Sequence, residues 1–313
     1  MPIDPEMAAF VERAADLFDA AFDRLPLAEQ RRVYGEFCRR FDGPWPAGVE
    51  AHDRTLDGPA GAIPVRLHRL QQAGVLPAVI YLHGGGWVFG NPDTHGQITA
   101  TLAARIPAAV VSVDYRLPPE HRFPAAFDNS YAALQRVFAS AADLGIDQRR
   151  IAVAGDSAGA NLSAAVALAA RDRGGPALAG QALIYGVFST DFDRPSCWEH
   201  AEAPFLTRAS MIDFVGTYLG GPVASDDPHV APMAAASHAD LPPAFIAAAG
   251  IDPLRDDSAA YAARLNDAGV AVEQRCAPDL IHGYLRAIGS CRAAAAEFDA
   301  LSAWLARRLA AAS

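Results

Sequence analysis

The chain has 313 residues, 51% hydrophobic and 20% charged, with a formal net charge of −10. This is the composition of an ordinary soluble globular protein, and its acidic balance repels phosphate backbones and anionic lipids, which argues against nucleic acid and membrane partners. All 26 basic residues are Arg, which excludes Schiff-base chemistry, a P-loop lysine and a Ser-x-x-Lys hydrolase together.

The first fifty residues predict two helices. Asp4 can cap and Pro5 suits the first helical position, and Met7, Phe10, Val11, Ala14, Leu17, Phe18, Ala21 and Phe22 follow helical spacing. A second stripe runs through Leu27, Val33, Tyr34, Phe37 and Phe41 and is stopped by Pro44 and Pro46. The polar face carries Glu6, Glu12, Asp16 and Asp19, the wrong sign for a helix lying on a membrane.

From about residue 62, short apolar runs alternate with helical segments. The expected strands are Val65–Leu70, Ala78–Leu82, Ala109–Val113, Ile151–Ala154, Ala182–Tyr185, Ala244–Ala249 and Val272–Cys276. Several are unbroken Val/Ile/Ala runs, as in strands buried on both faces of a parallel sheet. Helical stretches fall near 96–105, 125–140, 158–171, 256–268 and 292–311, so the expectation is an open α/β sheet flanked by helices. Residues 188–238 break the rhythm with five prolines and one helix-like piece, Met211–Leu219, and read as an insertion between strands.

Chemistry concentrates where the strands end. Gly155-Asp156-Ser157-Ala158-Gly159 follows one strand and opens a helix, a setting that lifts the serine hydroxyl above a sheet and places it at a helix N-terminus. His83-Gly84-Gly85-Gly86-Trp87 follows another strand. Its glycine N–H groups, with that of Ala158, can form an oxyanion hole; a phosphate nest would need a helix start and basic help, and Arg105 is distant. Of nine histidines, only His282 lies past the last strand on a loop, where the base of such a serine belongs. Asp252 follows the preceding strand and is the expected acid, whereas Asp256 and Asp257 read as helix caps.

These motifs resemble the hormone-sensitive-lipase-like family of esterases, with its H-G-G-G loop and G-D-S-A-G turn. The resemblance extends to Asp114-Tyr115-Arg116-Leu117-Pro118-Pro119-Glu120, Phe123-Pro124-Ala125 and Asp252-Pro253-Leu254-Arg255-Asp256. Departures are Pro119 for Ala, Ala160 for Gly, Gly186 for Pro and Tyr284 for Phe. The resemblance implies an α/β-hydrolase fold with a mostly parallel sheet and a helical cap. It puts the oxyanion hole on Gly84, Gly85, Gly86 and Ala158. It also implies that residues 1–50 and 188–238 form the cap over a core of residues 51–187 and 239–313, with Trp87 and Phe89 walling the substrate pocket. Dimers are common in the family, which by analogy admits a homodimer.

The expected activity is hydrolysis of short-chain carboxylic esters, small-molecule substrates, through an acyl-enzyme, with no metal or organic cofactor. An amidase or formamidase would use the same triad. A binding protein on a dead hydrolase would usually lack the histidine, which is present, and no G-x-G-x-x-G follows a strand as a dehydrogenase requires. Four cysteines without a C-x-x-C pair, no apolar run of membrane-spanning length and no secretory-signal pattern at the N-terminus make a cytoplasmic location the expectation.

Overall fold

A computed structural model describes residues 2–18, 22–71 and 74–311; Asp19 and Ala21 of the N-terminal pattern lie outside them. Among the described residues the chain forms one eight-stranded sheet in the order β1-β2-β4-β3-β5-β6-β7-β8. The strands are β1 (Val49–Gly58), β2 (Gly61–Leu70), β3 (Leu76–Leu82), β4 (Ala109–Val113), β5 (Ile146–Asp156), β6 (Gly180–Ile184), β7 (Ala244–Ile251) and β8 (Val272–Ile281). The six strands from β3 to β8 are mutually parallel.

Alternation along the central strands supplies both faces of the sheet. In β3, Val79 and Tyr81 join a core with Ile98 and Leu102 of α3 (Gly96–Arg105) and Phe298 and Leu305 of the C-terminal helix (Arg292–Ala311). Ala78, Ile80 and Leu82 face the other way, toward Leu134 of α4 (Ala125–Ala139) and Leu162 and Val166 of α5 (Ala158–Asp172). Side chains one apart on a strand point to opposite faces, so an unbroken apolar run serves two layers of helices.

Strand β1 has no counterpart in the sequence expectation. It carries His52, Asp53, Arg54 and Thr55, and only Val49 and Leu56 along it are buried. Its partner is β2 alone, in an antiparallel hairpin from Val49↔Leu70 to Gly58↔Gly61. An edge strand of this kind needs little apolar surface, so hydrophobic patterning misses it.

At the N-terminus, Asp4 caps α1 (Pro5–Ala14) by accepting from the Glu6 and Met7 amides at 2.8 and 3.0 Å. The helix stops at Ala14, short of the predicted stripe. Phe18 and Phe22 instead pack edge-to-face on each other at 5.1 Å, and Phe22–Arg24 makes a separate turn; tertiary packing overrides helical spacing there. After α2 (Leu27–Arg40) the chain enters the sheet. Asp4 N–H also donates to the Asp279 carbonyl at 2.9 Å, and Glu6 pairs with Arg292, which fastens the chain's beginning to its end. The insertion holds α6 (Pro195–Glu199) and α7 (Arg208–Leu219). Thr207 caps α7 with a reciprocal bond to Ser210, and Gly220 ends it in the left-handed conformation.

Candidate active site

Ser157 sits between the end of β5 and the start of α5 with φ 55 and ψ −121. A non-glycine residue rarely holds that conformation, and the surroundings enforce it. The Ser157 amide donates to the Ile184 carbonyl at 2.8 Å, and α5 crosses β3 so closely that a Cβ on Gly159 would overlap the Leu82 carbonyl oxygen. The hydroxyl is thereby held at the positive end of a fifteen-residue helix.

The loops after β7 and β8 bring the partners. His282 Nε2 lies 2.9 Å from Ser157 Oγ, and His282 Nδ1 lies 2.8 Å from Asp252 Oδ2. Asp252 is fully buried, and its other oxygen accepts from the Leu254 amide at 2.8 Å. The carboxylate can therefore only accept from Nδ1–H, which leaves Nε2 free to take the serine proton.

Asp256 and Asp257 are not helix caps, a correction to the sequence reading. Leu254 occupies the N-cap of α8 (Arg255–Asp267) and makes no side-chain cap bond. Asp256 accepts from the Ser196 amide at 2.9 Å. Asp257, buried, accepts from the Ser189 amide at 3.0 Å and its hydroxyl at 2.6 Å, and from the Phe188 amide. Both acids clamp the insertion to the sheet.

Gly84 requires a second correction. Its N–H is given to Asp156 Oδ1 at 3.1 Å, with His95 Nε2 at 3.3 Å, so it does not point at a substrate. Gly85 and Gly86 follow with φ 119 and 60, and the loop is closed by Val88 and Phe89 amides bonding back to the Gly85 carbonyl. Gly85, Gly86, Ser157, Ala158 and His282 all line one cavity of about 320 Å³.

Trp87 and Phe89 line the same cavity. Trp87 is buried and stacked on Tyr218 at 4.6 Å, while Phe89 packs on Tyr34 and Phe214. Phe18, Phe22 and Phe37 of the N-terminal stripes also line the wall, as do Phe205, Met211, Phe214 and Val215 from the insertion, which the sequence reading did not single out. Met211 and Val215 stand four apart on α7, a spacing that was legible; nothing local marks Phe205. Its ring meets Phe10, Phe18 and Phe37 at 5.4–6.0 Å, joining the two segments above Ser157.

Gly186, one of the departures from the family pattern, is fixed by its neighbours. A Cβ on Gly186 would stand 2.8 Å from Ala160 Cβ and against the Phe188 ring. Between the Phe188 ring and Ala160, residue 186 has no room for a side chain.

Comparison with known proteins gives the family. A family model described as alpha/beta hydrolase fold matches residues 79–286. The chain belongs to that family, in the hormone-sensitive-lipase-like branch. Carboxylesterase NlhH of Mycobacterium tuberculosis is 50% identical over 213 residues, 67% of each chain. Ethyl acetate hydrolase of Pseudomonas putida is 33% identical over 300 residues, 91% of this chain and 93% of that one. The crystal structure of a thermostable esterase from Pseudomonas putida ECU1011 superposes with a TM-score of 0.93 at 32% identity, covering 98% of both chains. This α/β-hydrolase is an ester hydrolase. Among its described residues, no helix is long and apolar enough to cross a membrane.

Proposed function

We propose that this chain is a carboxylesterase for short acyl esters, with Ser157 as nucleophile, His282 as general base and acid, and Asp252 as the group that orients and charges the imidazole. The observation that carries the reading is the unbroken hydrogen-bond line from Asp252 through His282 to Ser157 at 2.8 and 2.9 Å, opening into an apolar cavity.

Ser157 Oγ attacks the ester carbonyl as its proton passes to His282 Nε2, and Asp252 stabilises the imidazolium. The carbonyl oxygen becomes an oxyanion, and the amides of Gly85, Gly86 and Ala158 are the donors assigned to it; each such donor is worth about 10²–10³ in rate. The alkoxide leaves with the proton from His282, and water attacks the acyl-enzyme by the same route in reverse.

A short acyl group is supported by the cavity's size and by the aromatic rings that close it. The name of the Pseudomonas putida relative, ethyl acetate hydrolase, points the same way. A cytoplasmic location is part of the same reading, supported by four free cysteines, three of them buried. The test is a series of p-nitrophenyl esters of rising chain length beside the matching anilides. Turnover should peak at short acyl chains and fall steeply on the anilides. Equal rates on anilides would favour the amidase reading, and a maximum at long chains would refute the short-chain assignment.

A further inference from the structure

Beside the glycine loop lies a mostly buried polar cluster that the hydrolytic steps do not use, reaching the cavity wall at Asp156 and Arg286. Asp156 Oδ1 accepts from the Tyr81 hydroxyl at 2.8 Å and from the Gly84 amide at 3.1 Å. His95, fully buried, holds Nε2 at 3.4 Å from that oxygen and 2.7 Å from Arg286 Nη2. A guanidinium can only donate, so the imidazole accepts there. The other guanidinium nitrogen donates to the Thr94 carbonyl, on the segment that carries His95.

The sequence positions of these groups give the cluster its meaning. Asp156 directly precedes Ser157, Gly84 directly precedes Gly85, and Arg286 lies in the short turn Tyr284–Ala287 just beyond His282. One network thus touches the segments that carry the nucleophile, the oxyanion donors and the base. We propose that Asp156, His95 and Arg286 are positioning residues: the carboxylate anchors the Gly84 amide, which fixes the directions of the Gly85 and Gly86 N–H groups, and Arg286 ties that anchor to the base's loop. The proposal rests on the roles assigned to Ser157 and the glycine loop above.

Physical reasons make such an anchor necessary. Oxyanion donors help only when held in place before charge develops, yet consecutive glycines are the residues least able to hold themselves. The carboxylate approaches so closely that a Cβ on Gly84 would overlap Asp156 Oδ2. Burial raises the Asp156 carboxyl, while the Arg286 charge and the Tyr81 and Gly84 donors favour its ionised form. Burial and the Arg286 charge push His95 down to about 4, so it stays neutral. The bond from Gly84 is therefore charge-assisted.

The test uses the full chain with Asp156→Ala, Asp156→Asn, Arg286→Met and Arg286→Lys. For each, active sites are titrated with a fluorophosphonate, and kcat and KM are measured on p-nitrophenyl acetate. A trifluoromethyl ketone is added because its serine adduct carries an oxyanion. Asp156→Ala should lower kcat per titrated site ~10²-fold and weaken the ketone by a comparable factor, with KM changed by less than about threefold. Asp156→Asn keeps an acceptor oxygen and should recover about tenfold of that loss; Arg286→Met should lose about tenfold with the same signature, and Arg286→Lys less. If the Ala and Met variants do not fold, the Asn and Lys variants decide by the same two constants. Undiminished ketone binding in the fully titrating variants, or losses confined to KM, would overturn the proposal. If the unaltered enzyme is not labelled at Ser157, the assigned catalytic roles fail first, a result distinct from either of these.

Discussion

His282 Nε2 and Ser157 Oγ stand 2.9 Å apart although 125 positions separate them in the chain. The sheet brings them together, because both belong to the ends of parallel strands that open on the same edge. Ser157→Ala removes the nucleophile and should lower kcat by about four to six orders of magnitude with the fold intact. Mass spectrometry after fluorophosphonate treatment should find the label on Ser157; label on another serine contradicts the assignment.

Asp252 and Asp257 lie five residues apart and should separate cleanly. Asp252→Asn leaves His282 with the wrong tautomer and should cost ~10⁴ in kcat with little loss of stability. Asp257→Ala strands the bonds to Phe188 and Ser189 and should cost on the order of 3 kcal/mol of stability. Urea midpoints and turnover, measured on both variants, check the pair; the reverse pattern would exchange their roles.

Phe205 holds its contacts with φ 65, a conformation disfavoured for a bulky side chain. Phe205→Ala opens the roof of the cavity and should raise KM for acetate and butyrate esters several-fold while kcat changes little, as for a wall that binds ground and transition states alike. Phe205→Gly should show the same kinetics and be about 1 kcal/mol more stable than the Ala variant, because glycine accepts that backbone. Chain-length profiles and melting curves of the two variants test both statements.

His68 supplies a pH prediction. It is fully buried, neither ring nitrogen has a hydrogen-bond partner among the described residues, and burial followed by the Arg66 charge pushes its pKa from 6.5 down to about 4. The folded pKa lies below the unfolded one, so the unfolded chain takes up the extra proton. Stability should fall as pH drops from 6.5 toward 4 and level off beneath, by on the order of 3 kcal/mol for this residue. His68→Leu should remove that part of the acid slope; an unchanged slope of Tm against pH would refute it.

The parallel strands and the Ser157, Asp252 and His282 positions were legible because each rests on local chemistry: an apolar run, then a turn with fixed residue types. What escaped depends on partners distant in sequence. Strand β1 hides behind His52, Asp53 and Arg54, since an edge strand is defined by its neighbour rather than by its own pattern. Gly84 looks like any glycine of its loop until Asp156, 72 positions away, takes its amide. Asp256 and Asp257 stand where caps are common, and only Ser189 and Ser196 reveal what they hold. Arg286 passes for a surface residue in a short turn, and nothing beside it announces His95.

The tie between the chain's two ends also sets an order in time. Glu6 accepts from the Arg292 amide, 286 positions later, so α1 cannot complete its packing until the segment around Arg292 has been made. At about 5–20 residues per second, that wait lasts on the order of tens of seconds. Through it the Phe10 and Phe37 faces lack the C-terminal segment, and for the first part of it they also lack the Phe205 ring. The nascent chain is thus exposed to aggregation at α1 and α2, and a circular permutant that begins at β1 and carries them after the C-terminal helix should shorten that exposure.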